Sequence, residues 1–209
     1  MLQQINLRCD TISEREEQFL KVLLMYDLII KNGLIYDCKG GRPFKADIAI
    51  SEEKIVSVGS IKGESKKTID ASGRIVTPGF VDIHTHYDGQ VTWDPYLRPS
   101  TYHGVTTVVM GNCGVGFSPC KPDQRDWLIG LMEGVEDIPG TALHEGIDWE
   151  WESFPEYLDA LEKKPLAIDV GTQIPHGAVR AYVMGERGIN HEEATEEEIK
   201  KMKQIVKEA

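Results

Sequence analysis

Gly79-Phe80-Val81-Asp82-Ile83-His84-Thr85-His86 is a short apolar run that ends in two histidines. Side chains alternate across a strand, so residues two apart share a face. Phe80, Asp82, His84 and His86 then point one way, and Val81, Ile83 and Thr85 the other. The pattern predicts a strand carrying two imidazoles, with a carboxylate behind them, at its C-terminal end. Neutral imidazole is the commonest side-chain metal ligand, and a nearby carboxylate can fix its tautomer and orientation. A bare H-x-H is a weak motif in a chain with 6 histidines, but its context strengthens it. Thr77-Pro78-Gly79 punctuates the chain just before the strand, and Asp88-Gly89 marks a loop just after it.

Downstream, the texture alternates between strand and helix. Val105-Thr106-Thr107-Val108-Val109-Met110 is a β-branched strand, and Leu166-Ala167-Ile168-Asp169-Val170 reads as a third. Between them lie two helical candidates, Asp126 to Glu136 and Phe154 to Lys164. Thr195-Glu196-Glu197-Glu198-Ile199 opens a charged amphipathic helix with Met202, Ile205 and Val206 on one side. Such repetition implies an α/β fold with a parallel sheet, in which functional residues sit at the carboxyl ends of strands. His84 and His86 fit that placement.

The second strand ends in Met110-Gly111-Asn112-Cys113-Gly114. Glycines flanking a cysteine let the backbone turn sharply and present the sulfur at the sheet rim. Neighbouring strands lie about 4.8 Å apart, so a thiolate here can share a metal with histidines on the next strand. Two histidines and a cysteine suit zinc better than magnesium or calcium. The competing reading makes Cys113 a small buried hydrophobe.

Upstream, from Tyr26 to about Thr77, the texture is β. Leu28-Ile29-Ile30 and Leu34-Ile35-Tyr36 flank Asn32-Gly33, a two-residue hairpin signal. Further short strands at 46–50 and 55–58 suggest a small antiparallel sandwich over 26–78 with a structural role. Residues 1–25 stand apart. Ser13-Glu14-Arg15-Glu16 has the form of a capping box ahead of an apolar run from Phe19 to Met25. The segment reads either as a helical extension or as sequence upstream of a start at Met25. It lacks the charge pattern and cleavage site of a signal peptide.

Bulk properties narrow the function classes. A hydrophobic content of 41% and a charged content of 27% are ordinary for a globular protein. The 23 basic and 34 acidic residues give a net charge of -11, and no basic run stands out. Nucleic acid and anionic membrane are therefore poor partners. The 4 cysteines form no C-x-x-C pair, which suits a reduced, cytoplasmic protein.

Together, Val81-Asp82-Ile83-His84-Thr85-His86, Gly104-Val105-Thr106-Thr107-Val108-Val109 and Gly111-Asn112-Cys113-Gly114 resemble the D-aminoacylase branch of the amidohydrolase superfamily, the N-acyl-D-amino-acid deacylases. Tyr26 to Gly33, Asp70 to Arg74, Trp149-Glu150-Trp151 and Pro175 to Arg180 extend the likeness over about residues 26–209. The resemblance implies a small β domain followed by a (β/α)8 barrel, of which residues 79–209 would supply the first three β/α units. It also implies zinc-dependent hydrolysis of the amide of N-acyl-D-amino acids, with His84, His86 and Cys113 at the metal. Family members draw two further histidines and an aspartate general base from later strands. A barrel takes about 250 residues and eight strands, and the chain stops at Ala209 inside a helix. The expectation is an N-terminal part of a longer enzyme, inactive alone, with no general base of its own.

Weaker candidates stay open. Asp82 is either a support for the histidines or a paired structural carboxylate. His176, at the end of the third strand, either touches substrate or is a satisfied rim residue. The four tryptophans either line a pocket or pack the core. A cyclic-amide hydrolase of the dihydropyrimidinase type is the alternative enzyme, although its bridging ligand, a modified lysine, does not match G-N-C-G. A non-catalytic scaffold that kept the fold is the alternative outside enzymes.

Overall fold

The computed structural model describes residues 25–209, so the expected N-terminal helix lies outside the described residues. The chain divides between Pro78 and Gly79 into two compact units.

The first unit is one mixed sheet rather than an antiparallel sandwich. Its strands are β1 (Tyr26–Ile35), β2 (Phe44–Ser51), β3 (Lys54–Gly59), β4 (Ser65–Asp70) and β5 (Ile75–Val76). Their order is β3-β2-β1-β4, with β5 also on β1. β2 runs antiparallel to β1 and β3, whereas β4 and β5 pair with β1 in parallel. The expected hairpin at Asn32-Gly33 is absent. Both residues lie inside β1, where the register against β2 shifts between Ile30 and Gly33. Asn32 takes the left-handed conformation, with φ 63°, that also favours it in hairpin turns. Here that conformation makes a bulge instead. The Asn32 amide donates to Asp47 Oδ1 at 2.9 Å, and its side-chain nitrogen donates to Asp70 Oδ1 at 3.0 Å. Those two bonds occupy the groups that a turn would have left to solvent.

In the second unit, β6 (Phe80–Thr85), β7 (Val105–Met110) and β8 (Asp169–Thr172) form a parallel sheet in the order β6-β7-β8. The third strand therefore starts three residues later than its apolar pattern suggested. Leu166 and Ile168 are spent on packing against the core, and the ladder begins only where Asp169 meets Thr107. Helices α1 (Arg125–Glu136), α2 (Gly140–Gly146), α3 (Phe154–Glu162), α4 (His176–Met184), α5 (Glu186–Ile189) and α6 (Glu196–Glu208) surround it in sequence order.

The core follows the two periodicities. Along β7, Val108 and Met110 are fully buried, one pleat apart. On α1 the buried stripe is Leu128, Ile129 and Met132; on α3 it is Phe154, Tyr157, Ala160 and Leu161. These join Phe117, Leu143 and Trp151 in one cluster. Its polar tips are satisfied: Trp151 Nε1 donates to the Phe117 carbonyl, and Tyr157 Oη to that of Asp88, each at 2.8 Å. Burying each large side chain contributes about 1.5–3 kcal/mol. The result is a firm wall behind the C-terminal ends of β6 and β7.

Candidate metal centre

Three ligand types converge at those strand ends. One ligand atom from each of His84, His86 and Cys113 lies within 4.8 Å of the other two. The imidazole centroids are 5.2 Å apart, and Cys113 Sγ is 3.6 Å from His86 Nδ1. Register explains the convergence. β6 and β7 are hydrogen-bonded neighbours, with Thr85 opposite Met110, so His86 and the G-N-C-G turn leave the sheet side by side. Two clamps hold them there. Thr85 Oγ1 donates to the Val109 carbonyl at 2.9 Å, and Asn112 Nδ2 donates to the Ile83 carbonyl at 3.2 Å.

The turn itself is tightly determined. Gly111 has φ 75°, and a Cβ there would meet the Gln173 carbonyl oxygen at 2.1 Å. Only glycine allows β7 to turn so close to the segment after β8. Two residues on, the Val115 amide donates to Cys113 Sγ at 3.4 Å, a backbone donor placed on the sulfur.

Of the weaker sequence candidates, Asp82 is half-buried and its Oδ1 accepts from the His84 amide at 3.2 Å. Its recorded contact is thus with the backbone of the motif rather than an imidazole. His176 does not end a strand. It is exposed and opens α4, with the next amide, that of Gly177, donating to the Gly114 carbonyl at 2.8 Å. It stands beside the G-N-C-G turn but outside the three-residue cluster. Trp151 is a core residue, Trp127 and Trp149 pack against the core, and Trp93 is partly exposed.

Two acidic residues at the site escaped sequence reading. Asp88 is 2% exposed, and its Oδ2 has no hydrogen-bond partner among the described residues. Burial pushes its carboxyl up to about 7, opposed by hydrogen bonds from its own amide and that of Gly111, with the Glu136 charge adding to the rise. The signal for it was present: Asp88 continues the 82, 84, 86 alternation, but Asp-Gly reads first as a turn. Glu136, the last residue of α1, places Oε2 3.2 Å from His86 Nε2. It lies 50 residues from His86, and local pattern cannot pair them.

A family model described as the amidohydrolase family matches residues 67–209. The chain belongs to the amidohydrolase family. Among curated relatives of this amidohydrolase chain, the D-aminoacylase of Alcaligenes xylosoxydans xylosoxydans is 32% identical, over 88% of this chain and 35% of that protein. A solved D-aminoacylase, whose description names a binuclear metal centre, superposes with a TM-score of 0.72 at 30% identity, covering 87% of this chain and 35% of the other. The N-acyl-D-glutamate deacylase of Bordetella bronchiseptica, solved with zinc and a phosphonate inhibitor, superposes with a TM-score of 0.69 at 27% identity, over 88% of this chain and 36% of that one. The chain thus spans about a third of the length of the relatives it matches.

Proposed function

We propose that this chain supplies the first part of a zinc-dependent amidohydrolase that cleaves the amide of N-acyl-D-amino acids, giving a carboxylate and a D-amino acid. The observation that carries this reading is the mutual approach of His84, His86 and Cys113 within 4.8 Å at the ends of two adjacent parallel strands. In this reading β6-β7-β8 begin a (β/α)8 barrel, and the mixed sheet of residues 26–78 is the small β domain that precedes it. The D-aminoacylase and N-acyl-D-glutamate deacylase relatives favour this substrate class.

The donor set fits zinc. Two imidazole nitrogens and a thiolate match the nitrogen and sulfur preference of a borderline-soft ion, and neither magnesium nor calcium takes thiolate readily. A bound zinc would polarise the acyl carbonyl and lower the pKa of a coordinated water. The chain's own contribution is placement. Thr85 and Asn112 lock β6 to the G-N-C-G turn, so the imidazoles and sulfur keep their spacing. Val115 fixes the direction of the sulfur. Asp82 holds the His84 backbone. His176, beside the turn, is the residue of this chain best placed to meet substrate. The proton transfer from water to the leaving amine is assigned to an aspartate outside these 209 residues.

The reading is tested with the full-length protein. Purified enzyme should contain zinc and hydrolyse N-acetyl-D-amino acids in preference to their L enantiomers. Cys113→Ala should lose most of the metal. Unchanged zinc stoichiometry in that variant would remove Cys113 from the ligand set. Zinc binding without hydrolysis of any N-acyl amino acid would favour the non-catalytic scaffold.

A further inference from the structure

Asp88 is a costly residue to place where it stands. It is 2% exposed, forms no ion pair among the described residues, and its Oδ2 has no hydrogen-bond partner there. Burying a carboxyl group so incompletely paired is unfavourable, and an apolar side chain of similar volume would fill the space without that cost. Its surroundings explain it. The Asp88 backbone carbonyl accepts from Tyr157 Oη at 2.8 Å, which ties the loop after β6 to α3. The side chain accepts from its own amide and from that of Gly111, a buried residue at the start of the loop that carries Cys113. At the other end of that loop stands Gly116. A Cβ there would come within 2.9 Å of Asp88 Oδ1 and 2.8 Å of Pro175 Cγ. Gly116 does not have a positive φ, so glycine is demanded by the space and not by the backbone. The carboxyl group is thus wedged against the loop from Gly111 to Gly116, bonded at one end and tightly packed at the other. Within that loop the Gly114 amide donates to the Gly111 carbonyl at 3.0 Å, and Cys113 lies inside the turn so closed.

We propose that Asp88 is a positioning residue for Cys113, acting through the Gly111 amide to set the shape of the G-N-C-G turn and with it the place of the sulfur beside the two imidazoles. Thr85 and Asn112 fasten β7 and its turn to β6; Asp88 acts on the turn from within. An amide carbonyl can accept from Gly111 as a carboxyl oxygen does, so the role rests on the acceptor and not on charge. With the acceptor removed, the buried Gly111 amide is left without a partner, and the turn must shift to find one. This inference rests on the metal-centre reading above and adds to it a residue that does not itself touch the metal cluster.

The test uses the full-length protein with cobalt in place of zinc, because the thiolate-to-cobalt charge-transfer band reports the bond between Cys113 and the metal. Metal affinity is read beside it by chelator competition. Asp88→Leu fills the space without an acceptor; it should weaken binding about 10–100-fold and diminish the band in a protein that still folds. Asp88→Asn keeps the acceptor and should retain the band and most of the affinity. An Asp88→Leu protein with the band and affinity of the wild type would overturn the proposal. So would an Asp88→Asn variant as weak as Asp88→Leu, since charge rather than the hydrogen bond would then be at work. If Asp88→Leu does not fold, hydrogen exchange of the wild type decides. The Gly111 amide should be protected there, and exchange as fast as that of an open loop would overturn the proposal. A wild type that binds cobalt without the band, or binds no metal, would instead defeat the metal-centre reading beneath it.

Discussion

At the scale of single residues, the site depends on backbone positions as much as on ligands. Gly111 is the plainest case. Its φ of 75° and the 2.1 Å approach of a would-be Cβ to the Gln173 carbonyl leave no room for a side chain. Gly111→Ala adds a left-handed penalty of about 1–2 kcal/mol and overpacking of about 1–3 kcal/mol. A loss of roughly 2–5 kcal/mol in urea unfolding is expected, together with weaker zinc binding, because Cys113 rides on the same turn. A variant with unchanged midpoint and affinity would show that the turn can relax without disturbing the sulfur. The clustering of His84, His86 and Cys113 was legible because alternation and flanking glycines are local signals. Glu136 and Asp88 were not. One reaches the site through a tertiary contact, and the other was masked by a dipeptide with a commoner meaning.

Elements were legible where their ends carry chemistry. Helix α3 starts at Phe154, where the sequence reading began it, and Ser153 caps it: Glu156 N donates to Ser153 Oγ at 3.4 Å, while Glu156 Oε2 accepts from the Ser153 and Glu152 amides at 2.8 and 3.0 Å. Ser153→Ala should cost about 0.5–2 kcal/mol in urea unfolding. The amide of Ser153, then that of Glu152, hold the Glu156 carboxyl below its ordinary value. A depressed folded value means that the stabilisation is present above the ordinary glutamate range and is lost as pH falls through the folded value. The gap in urea midpoint between wild type and Glu156→Gln should therefore narrow between about pH 6 and about pH 4; a constant gap would show that ionised Glu156 contributes nothing. Where partners rather than ends decide, the sequence misleads. Asn32-Gly33 looks like a turn because left-handed asparagine is typical of turns, yet Asp47 and Asp70 convert it into a bulge. Leu166 and Ile168 look like a strand because they are apolar, yet packing partly buried against the core and pairing with β7 are different things. Helix α2 went unread, since Pro139 and glycines at both of its ends mimic a loop.

For the whole molecule, exposed apolar surface is the feature with consequences in solution. Phe80 (61%), Val81 (58%) and Ile83 (67%) are exposed although they lie on both faces of β6. In the first unit Ile55 and Ile75 are similarly open, at 65% and 64%. A sheet strand bare on both sides is unusual for a monomer. The 209-residue chain should accordingly bind a hydrophobic-surface dye more strongly than the full-length protein, and should show no turnover of N-acetyl-D-amino acids with added zinc. Equal dye binding would mean that the β6 faces stay open in the longer protein, and comparable turnover would mean that the general base lies among residues 1–209.

The adjacency of β6 and β7 also bears on how the protein is made. His86 and Cys113 are 27 positions apart, and nothing between them has to wait for a distant strand. At a synthesis rate of about 5–20 residues per second, roughly 1–5 s separate the two on the ribosome. Three prospective ligands are therefore available on the nascent chain long before translation reaches α6, so ion capture can begin while the polypeptide is still tethered, and the order of synthesis favours seeding the centre from its N-terminal side.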